Sequence, residues 1–349
     1  MKEKKYIYVL LLIVALFTIF NFVVWNVTTA KFFPEKNSIY VGDLGRISYL
    51  ENSLTLRENI INLSNKHISY EDNISQVDVL TIGDSFSNGG PKGLNPYYQD
   101  YIATEQNLSV VNIQPSAQGF IETVLLLQKS GILDKINPKI ILIESVERSS
   151  ISRLSKNINW DISMSKGKMS FLYKKYNHST PPKPSFINRL NYNALLYPLL
   201  YKYDDNAILS QVYIAYLNKS LFSCIDKNKL LFYYEDLKNL SQSNNKSMAL
   251  LNANLNHLQE ILKSKHIQLY FMPSVDKYNL YSKFINNNPY QKSNFFELLR
   301  PLKKEYNFID TKMILEKMLD GNVSDLYYSD DTHWSYKASQ EIFNQVKLK

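Results

Sequence analysis

The sequence predicts an α/β protein with a central parallel sheet behind one N-terminal membrane helix. Short apolar runs alternate along the chain with segments of helical spacing. This alternation is typical of βαβ units, whose strands pair in parallel. A single long apolar stretch near the N-terminus has the length of a membrane span. The 349 residues, of which 45% are hydrophobic, are enough to bury a sizeable core.

The N-terminal segment carries the strongest compositional signal. Met1–Lys5 is basic, and Tyr6–Trp25 is apolar apart from Asn21. Twenty helical residues span about 30 Å, the thickness of a bilayer core, whereas the apolar region of a cleaved signal peptide is shorter. We expect residues 1–30 to be a retained single-pass anchor, with a signal peptide cut near Thr28–Ala30 as the alternative. The basic flank predicts a cytoplasmic-membrane protein whose remaining chain faces the periplasmic or extracellular side.

The segment after the anchor divides into a stem and one α/β domain. We expect residues 31–76 to form the stem and entry segment, with a strand at Ser38–Val41 and a helix at Leu54–Leu63, and residues 77–349 to form the domain. Buried strands are predicted at Val77–Ile82, Leu108–Ile113, Lys139–Ile143, His266–Met272 and Asn307–Ile309. Helices are predicted at Pro96–Gln106, Phe120–Ser130, Thr311–Leu319 and Tyr336–Val346.

The alternation lapses over residues 150–265, which are rich in Tyr, Asn, Leu and Lys. The later part, Asp236–Lys263, has leucines at helical spacing. We therefore predict a mostly helical insertion between the third and fourth strands.

The charge is positive but diffuse. The formal net charge is +8, with no basic block and no nucleic-acid motif. A solvated surface is the simplest interpretation, with attraction to an anionic glycan or a membrane face as the alternative. Nucleic acid is not an expected partner. Cys224 is the only cysteine, so the fold needs no internal disulfide.

A serine follows the first predicted strand in a setting suited to nucleophilic attack. Gly83-Asp84-Ser85-Phe86-Ser87 comes directly after Val77–Ile82. Open α/β sheets bind ligands at the carboxyl ends of their strands, and a helix N-terminus favours developing negative charge. The alternative is an ordinary strand-to-helix turn with the serine as an N-cap.

A serine nucleophile needs a base, and one histidine fits that role. Four histidines lack a suitable neighbour and are expected to be structural: His67, His178, His257 and His266. His333 lies in Asp330-Asp331-Thr332-His333-Trp334-Ser335 before the last helix. A carboxylate two or three residues away can hold one imidazole nitrogen, so that the other accepts the serine proton. The alternative is a surface histidine in a helix-capping loop. No metal and no cofactor are predicted.

Together these motifs resemble the SGNH/GDSL hydrolase superfamily, and look most like its alginate O-acetyltransferase type of domain. The resemblance covers roughly residues 77–150 and 265–347. It is carried by Gly-Asp-Ser-Phe at 83–86, Asp-x-His-Trp at 331–334, a Glu-x-x-Glu-Arg-like segment at 143–148 and a Pro-x-x-Asp-Lys-like segment at 271–278. It implies a three-layer fold around the parallel sheet, with Ser85, His333 and an aspartate as catalytic triad.

The order and spacing of the motifs depart from the alginate enzymes. In those enzymes the Asp-x-His motif precedes the serine, whereas here it follows, as is usual in the superfamily. The spacing Asp-x-His-Trp selects Asp331, which we favour, and the common superfamily spacing Asp-x-x-His selects Asp330 as the alternative.

The oxyanion hole is the least defined part of the resemblance. Where the superfamily has an asparagine, this chain has Glu144–Arg148. We expect the N–H groups of Ser85 and Gly119 to contribute. Arg148 either replaces the asparagine or pairs with Glu144 or Glu147. The simplest interpretation of Asp276-Lys277 is a solvated or paired turn, with a place in the cleft as the alternative.

The resemblance implies a two-step acyl transfer through Ser85. The expected function is a membrane-anchored O-acyltransferase that acts on a cell-envelope or secreted polysaccharide, with acetyl as the expected acyl group. Because soluble acetyl-CoA is absent outside the cytoplasm, the resemblance also implies a multi-pass membrane acyltransferase as the acyl donor. The alternatives are a carbohydrate or lipid esterase of the same fold, and a non-catalytic anchored glycan-binding or scaffold subunit.

Overall fold

A computed structural model describes residues 2–34, 40–55, 57, 62–93, 95–173 and 183–349. Its strands are β1 (Ile68–Ser69), β2 (Val79–Ile82), β3 (Val110–Ile113), β4 (Ile140–Val146), β5 (Val212–Tyr216), β6 (Lys229–Tyr233), β7 (Gln268–Ser274) and β8 (Asn307–Phe308). Six of them form a central parallel sheet in the order β1-β3-β2-β4-β7-β8. β5 and β6 form a separate antiparallel pair. The predicted α/β class with a central parallel sheet is therefore confirmed.

The strands form where the sequence has runs of valine, isoleucine and leucine. β2 and β4 are buried along their whole length, as expected for parallel strands covered on both faces. All five predicted strands are present, and β4 and β7 extend beyond their predicted ends to Val146 and Ser274. β1 was not predicted, because its two exposed residues carry no strand pattern.

The described helices are α1 (Lys2–Val27), α2 (Asp43–Ser48), α3 (Tyr98–Gln106), α4 (Phe120–Lys129), α5 (Ile132–Ile136), α6 (Glu147–Leu154), α7 (Leu190–Leu200), α8 (Glu235–Lys238), α9 (Asn245–Lys263), α10 (Lys277–Tyr281), α11 (Phe295–Leu299), α12 (Thr311–Asp320) and α13 (Tyr336–Gln345). Those that connect the central strands flank the sheet in two sets. The crossover from β2 to β3 runs opposite to those from β3 to β4 and β4 to β7. Right-handed crossovers running in opposite directions put their helices on opposite faces. Accordingly, α3 and α12 pack on α13, whereas α4 and α9 pack on α6.

The region predicted as a mostly helical insertion is more varied than expected. It contains the β5–β6 hairpin, which the lapse in alternation did not predict. α9 begins at a capping box formed by Asn244 and Ser247, and packs on β7, α6 and α11. It therefore belongs to the helical layer beside the sheet, since it is the return helix of the crossover from β4 to β7.

The segment predicted as a stem is packed into the fold. β1 joins the edge of the central sheet, and α2 packs on the β5–β6 hairpin. Two small apolar clusters hold this segment: Phe32, Val41, Tyr49 and Ala194 form one, and Leu44, Tyr201, Ala207, Val212, Ile214 and Leu231 form the other. The strand predicted at Ser38–Val41 and the helix predicted at Leu54–Leu63 lie partly outside the described residues. Their described parts are neither strand nor helix: Tyr40–Val41 in the first, and Leu54, Thr55, Arg57, Asn62 and Leu63 in the second.

The N-terminal apolar segment forms one helix. Within the part of the chain that the structure describes, Lys4–Val27 is the only stretch long and apolar enough to cross a membrane, with a mean hydropathy of 2.8. A signal sequence at the N-terminus would have the same properties. The last turns of this helix pack against α7.

Candidate active site

The register of the sheet brings three of the predicted motifs, and the loop that carries Gly119, to one edge. Ile82 at the end of β2 pairs with Ile113 of β3 and Ile143 of β4, and Val146 of β4 pairs with Ser274 of β7. The loops after these strands therefore leave the sheet side by side. This edge, at the carboxyl ends of the strands, is where open α/β sheets bind ligands.

Ser85, His333 and Asp331 form a continuous hydrogen-bonded chain at this edge. The Ser85 Oγ lies 2.7 Å from His333 Nε2, and His333 Nδ1 lies 2.7 Å from Asp331 Oδ1. Asp331 also accepts the backbone N–H of His333 at 3.1 Å. The histidine can thus take the serine proton through one nitrogen while the aspartate fixes the other.

Asp330, the alternative aspartate, points away from the histidine. Its Oδ2 accepts the backbone N–H of Gly42 at 2.8 Å, and its Oδ1 lies 3.2 Å from the guanidinium of Arg57. Among the described contacts, Asp331 and not Asp330 is therefore the carboxylate that binds His333.

The charges of the pair reinforce each other. Burial lowers the pKa of His333, but the neighbouring Asp331 carboxylate outweighs it, so that the pKa lies above the ordinary 6.5. For Asp331, burial acts in the opposite direction and raises the pKa. The charges of His333 and Arg57, together with hydrogen bonds, nevertheless hold this pKa well below its usual range. Asp331 is therefore ionised at neutral pH, and it stabilises a positive charge on the imidazole.

Asp84 fixes the turn that carries the serine. Its Oδ1 accepts the backbone N–H of Phe86 at 3.1 Å, and its Oδ2 accepts that of Val146 at 2.8 Å and an ion pair from Arg153. Burial raises the pKa of Asp84, yet Arg153 and these hydrogen bonds bring it below its usual value. The aspartate of the Gly-Asp-Ser motif thus ties the serine turn to the end of β4.

Glu144 lies beneath the same turn, fully buried. Its Oε2 accepts the backbone N–H of Asp84 at 3.1 Å and the Ser87 hydroxyl at 2.9 Å, and its Oε1 accepts the Ser274 hydroxyl at 2.7 Å. Burial and the nearby Asp84 charge raise its pKa well above the usual value. Gly83 is required here because a methyl group would overlap the side chains of Ser87 and Glu144.

Arg57 is the main residue of the site that the sequence did not indicate. It is buried, and its guanidinium donates to Asp331 Oδ2 at 2.6 Å and to the carbonyl of Tyr40 at 2.7 Å. It also stacks over the ring of Tyr328 at 4.4 Å. Arg57 thus holds the far side of the Asp331 carboxylate. The available signal was that two adjacent aspartates in a buried loop require a cation.

Asp43 is a second missed residue from the same segment. It starts α2, and its carboxylate accepts the backbone N–H of Thr332 at 2.8 Å and the Thr332 hydroxyl at 2.5 Å. Burial and the Asp331 charge raise its pKa.

The ligand atoms of Asp43, Asp331 and His333 lie within 4.8 Å of one another, a spacing that could hold a metal ion. Each already has a protein partner, because Thr332, Arg57 and Ser85 engage them.

Lys277 secures the loop that leads to the triad. Its side chain is fully buried, and Nζ donates to the carbonyls of Tyr328, Ser329 and Asp331 at 2.8–3.0 Å. Burial lowers the pKa of this lysine to about 8. Of the solvated or paired turn expected for Asp276-Lys277, the solvated version is therefore wrong: both residues are buried, Asp276 is paired with Arg148, and Lys277 supports the loop.

Arg148 pairs with carboxylates other than those predicted. It lies 2.7 Å from Asp276 and 3.3 Å from Asp236, so the predicted pairing with Glu144 or Glu147 is wrong. Its charge also lowers the pKa of His333.

The two predicted oxyanion donors differ in availability. The backbone N–H of Gly119 donates to the Ser116 carbonyl at 3.2 Å, so it is already used within its own turn. The Ser85 N–H makes no hydrogen bond to the described residues. Of these two donors, the Ser85 N–H is therefore the one that is open to a developing oxyanion beside the nucleophile.

Comparisons with known proteins do not assign a family. No family model matches this chain, and no curated protein matches it. The function of the chain is therefore inferred from the geometry of the site.

Proposed function

We propose that this chain is a membrane-anchored serine acyl-transfer enzyme of the SGNH type, which moves an acyl group onto a polysaccharide hydroxyl. The observation that carries the proposal is the chain of 2.7 Å contacts from Ser85 through His333 to Asp331. The parallel sheet and the position of Ser85 after β2 support the SGNH type. The loops that hold Asp331 and Asp84 support a preorganised site rather than a chance contact.

Two half-reactions follow from this arrangement. In the first, Ser85 Oγ attacks the acyl carbonyl while His333 Nε2 takes its proton, and the Ser85 N–H faces the oxyanion. The intermediate collapses to an acyl-serine, and His333 returns the proton to the leaving oxygen. In the second, the acceptor hydroxyl gives its proton to His333 and attacks the acyl-serine. Collapse of that intermediate breaks the bond to Ser85 Oγ, which takes the proton back from His333, so that free Ser85 is restored.

The location and partners belong to the same proposal. The helix Lys4–Val27 is taken as a retained anchor, with the α/β domain on the periplasmic or extracellular side. The acyl donor is then a membrane carrier, for which a multi-pass membrane acyltransferase is the proposed partner. An acetyl group and a cell-envelope or secreted polysaccharide are the proposed acyl group and acceptor.

The first test removes the nucleophile and the base. Ser85→Ala and His333→Ala should each lower turnover of an activated acetyl ester roughly 10⁶-fold, because such groups act as a unit. Ser152→Ala and His257→Ala change exposed residues of the same types, and should leave turnover unchanged. Unaltered turnover in Ser85→Ala would mean that the chain is not a serine enzyme.

A second measurement separates transfer from hydrolysis. With an oligosaccharide acceptor present, a transferase should form acylated sugar while releasing less free acetate. Constant acetate release without acylated sugar, across several acceptors, would instead indicate an esterase.

A further inference from the structure

The helix α7 has two apolar faces and no charged residue between Leu190 and Leu200. One face is buried through Ala194, which packs with Phe32, Val41 and Tyr49. The other face exposes a stripe at helical spacing: Tyr192 (46% exposed), Leu195 (42%), Leu196 (49%) and Leu199 (53%). A helix that is apolar on its outer face as well needs an apolar medium there, and exposed patches of this kind mark interaction sites.

This stripe is continuous with the N-terminal helix α1. The ring of Tyr192 lies 5.6 Å from that of Phe20, and just before α7 the ring of Phe186 lies 6.0 Å from that of Phe22. Between these contacts, the Asn191 amide donates to Asn21 Oδ1 at 2.9 Å, with both side chains buried. Asn21, the polar exception in the apolar helix, is therefore satisfied by a residue of the domain.

The position of these contacts along α1 sets their depth. Phe20 and Phe22 precede Val27, the end of the apolar span, by five to seven residues. At 1.5 Å per residue they lie about 8–10 Å inside the span. A residue that contacts Phe20 from the side must lie at the same depth, and Tyr192 makes such a contact. An Asn in lipid without a partner would be costly, which fits a contact made inside the apolar layer.

We propose that α7 is a membrane-contacting helix, whose stripe of Tyr192, Leu195, Leu196 and Leu199 is covered by the lipid of the outer leaflet. This inference rests on the part of the proposed function that retains α1 as an anchor. The layer that membrane-surface helices enter is about 5–10 Å deep, in agreement with the depth of the contacts on α1. In the loop after α7, two further apolar residues, Ile208 and Leu209, are exposed.

The embedded helix lies close to the catalytic loop. The Tyr197 ring of α7 lies 5.6 Å from that of Tyr49, at the C-terminal end of α2. The other end of α2 is Asp43, which binds Thr332 beside His333. Six helical residues span about 9 Å, so one short helix separates the lipid-facing surface from the triad loop. A donor carried in the membrane would thus meet the site near the bilayer.

The test measures depth in the full-length protein, reconstituted alone into phospholipid vesicles. In a Cys224→Ala background, which removes the only native thiol, single cysteines at Leu196 and Leu199 are labelled with an environment-sensitive fluorophore. We expect blue-shifted emission, quenching by nitroxide-labelled lipids and protection from aqueous iodide. Met313→Cys is the matched control, since Met313 is an apolar residue 61% exposed on α12, and its label should respond to iodide only.

Two results would overturn the proposal. Iodide quenching at Leu196 and Leu199 equal to that at Met313 would mean that the stripe faces water. Protection from both quenchers would mean that a second copy of the chain, not lipid, covers it. Turnover of a soluble acyl ester in the same vesicles reports the triad independently, so failure of the proposed function can be told from failure of the membrane contact.

Discussion

The chemistry of the site depends on how a few buried charges are paired. Asp331 is held between His333 on one side and Arg57 on the other, at 2.7 and 2.6 Å. Asp330, its neighbour in sequence, is turned towards the backbone of Gly42. A buried carboxylate is stable only when its oxygens are satisfied, so these partners decide which aspartate can act on the histidine.

The two aspartates should therefore respond differently to the same isosteric change. Asp331→Asn should lower kcat roughly 10⁴-fold, because the amide no longer holds the reactive tautomer or stabilises the imidazolium. Asp330→Asn keeps an oxygen for the Gly42 N–H and leaves His333 paired, so its loss should be much smaller. Steady-state kinetics on an activated ester give both values. A greater loss in Asp330→Asn would assign the triad to the other aspartate.

The acid limb of the pH profile should report His333. Only the neutral imidazole can take the serine proton, and Asp331 raises its pKa above 6.5. As pH falls, kcat/KM should therefore drop through a midpoint above 6.5. In Asp331→Asn the raising charge is gone while burial still lowers the pKa, so the midpoint should move to lower pH. If the midpoint does not move in Asp331→Asn, the acid limb of the profile does not report the titration of His333 beside Asp331.

At the scale of elements, the site is assembled where strand ends meet a segment from before the sheet. β2 and β4 supply Ser85 and the Glu144 support, and β7 leads into Lys277. α2 and its flanks then close over the catalytic loop from the other side. The N–H of Gly45 donates to the Asp330 carbonyl at 2.9 Å, so this contact is made by backbone as well as by side chains.

A methyl group at Gly42 tests whether that closure matters for activity. In Gly42→Ala the added carbon would overlap the carbonyl of Asp330, so the loop must shift and His333 with it. We expect kcat to fall at least about tenfold, since small misplacements of catalytic groups are costly. Gly167→Ala is the control, because its methyl group would meet nothing within 4 Å. Equal kinetics in the two variants would show that α2 can move without disturbing the triad.

At the scale of the whole molecule, the N-terminal apolar helix and the α/β domain are joined by more than a linker. α1 packs on α7, and α7 packs on α2, which contacts the catalytic loop. The domain is thereby held in a defined position relative to the apolar helix. An enzyme that takes its acyl group from a membrane carrier would benefit from such a fixed orientation.

The orientation across the membrane can be tested with a reporter. Met1–Lys5 is basic and precedes the apolar helix, so the chain after the helix should lie outside the cytoplasm. A reporter that is active only outside the cytoplasm, fused after Lys349, should therefore be active. A reporter that works only in the cytoplasm is the paired control and should be silent there. The reverse pattern would contradict the proposed location.

Much of this architecture is determined locally and could be derived from the sequence. The strands are short apolar runs, whose composition favours burial, and the N-terminal apolar helix is indicated by the length of Tyr6–Trp25. Ser85 follows a strand, and His333 has a carboxylate within three residues, so both candidates follow from sequence spacing. The parallel direction of the strands follows in turn from the helices between them.

Other features depend on contacts between distant residues, and only the tertiary structure decided them. The choice between Asp331 and Asp330 depends on Gly42 and Arg57, which lie more than 270 positions away. The partners of Arg148 follow β6 and β7, so nothing in its own motif indicated them. The role of α7 likewise becomes visible only when its outer face is seen beside α1. Pairing and exposure are properties of the packed chain, because a side chain's partners are set by which elements meet.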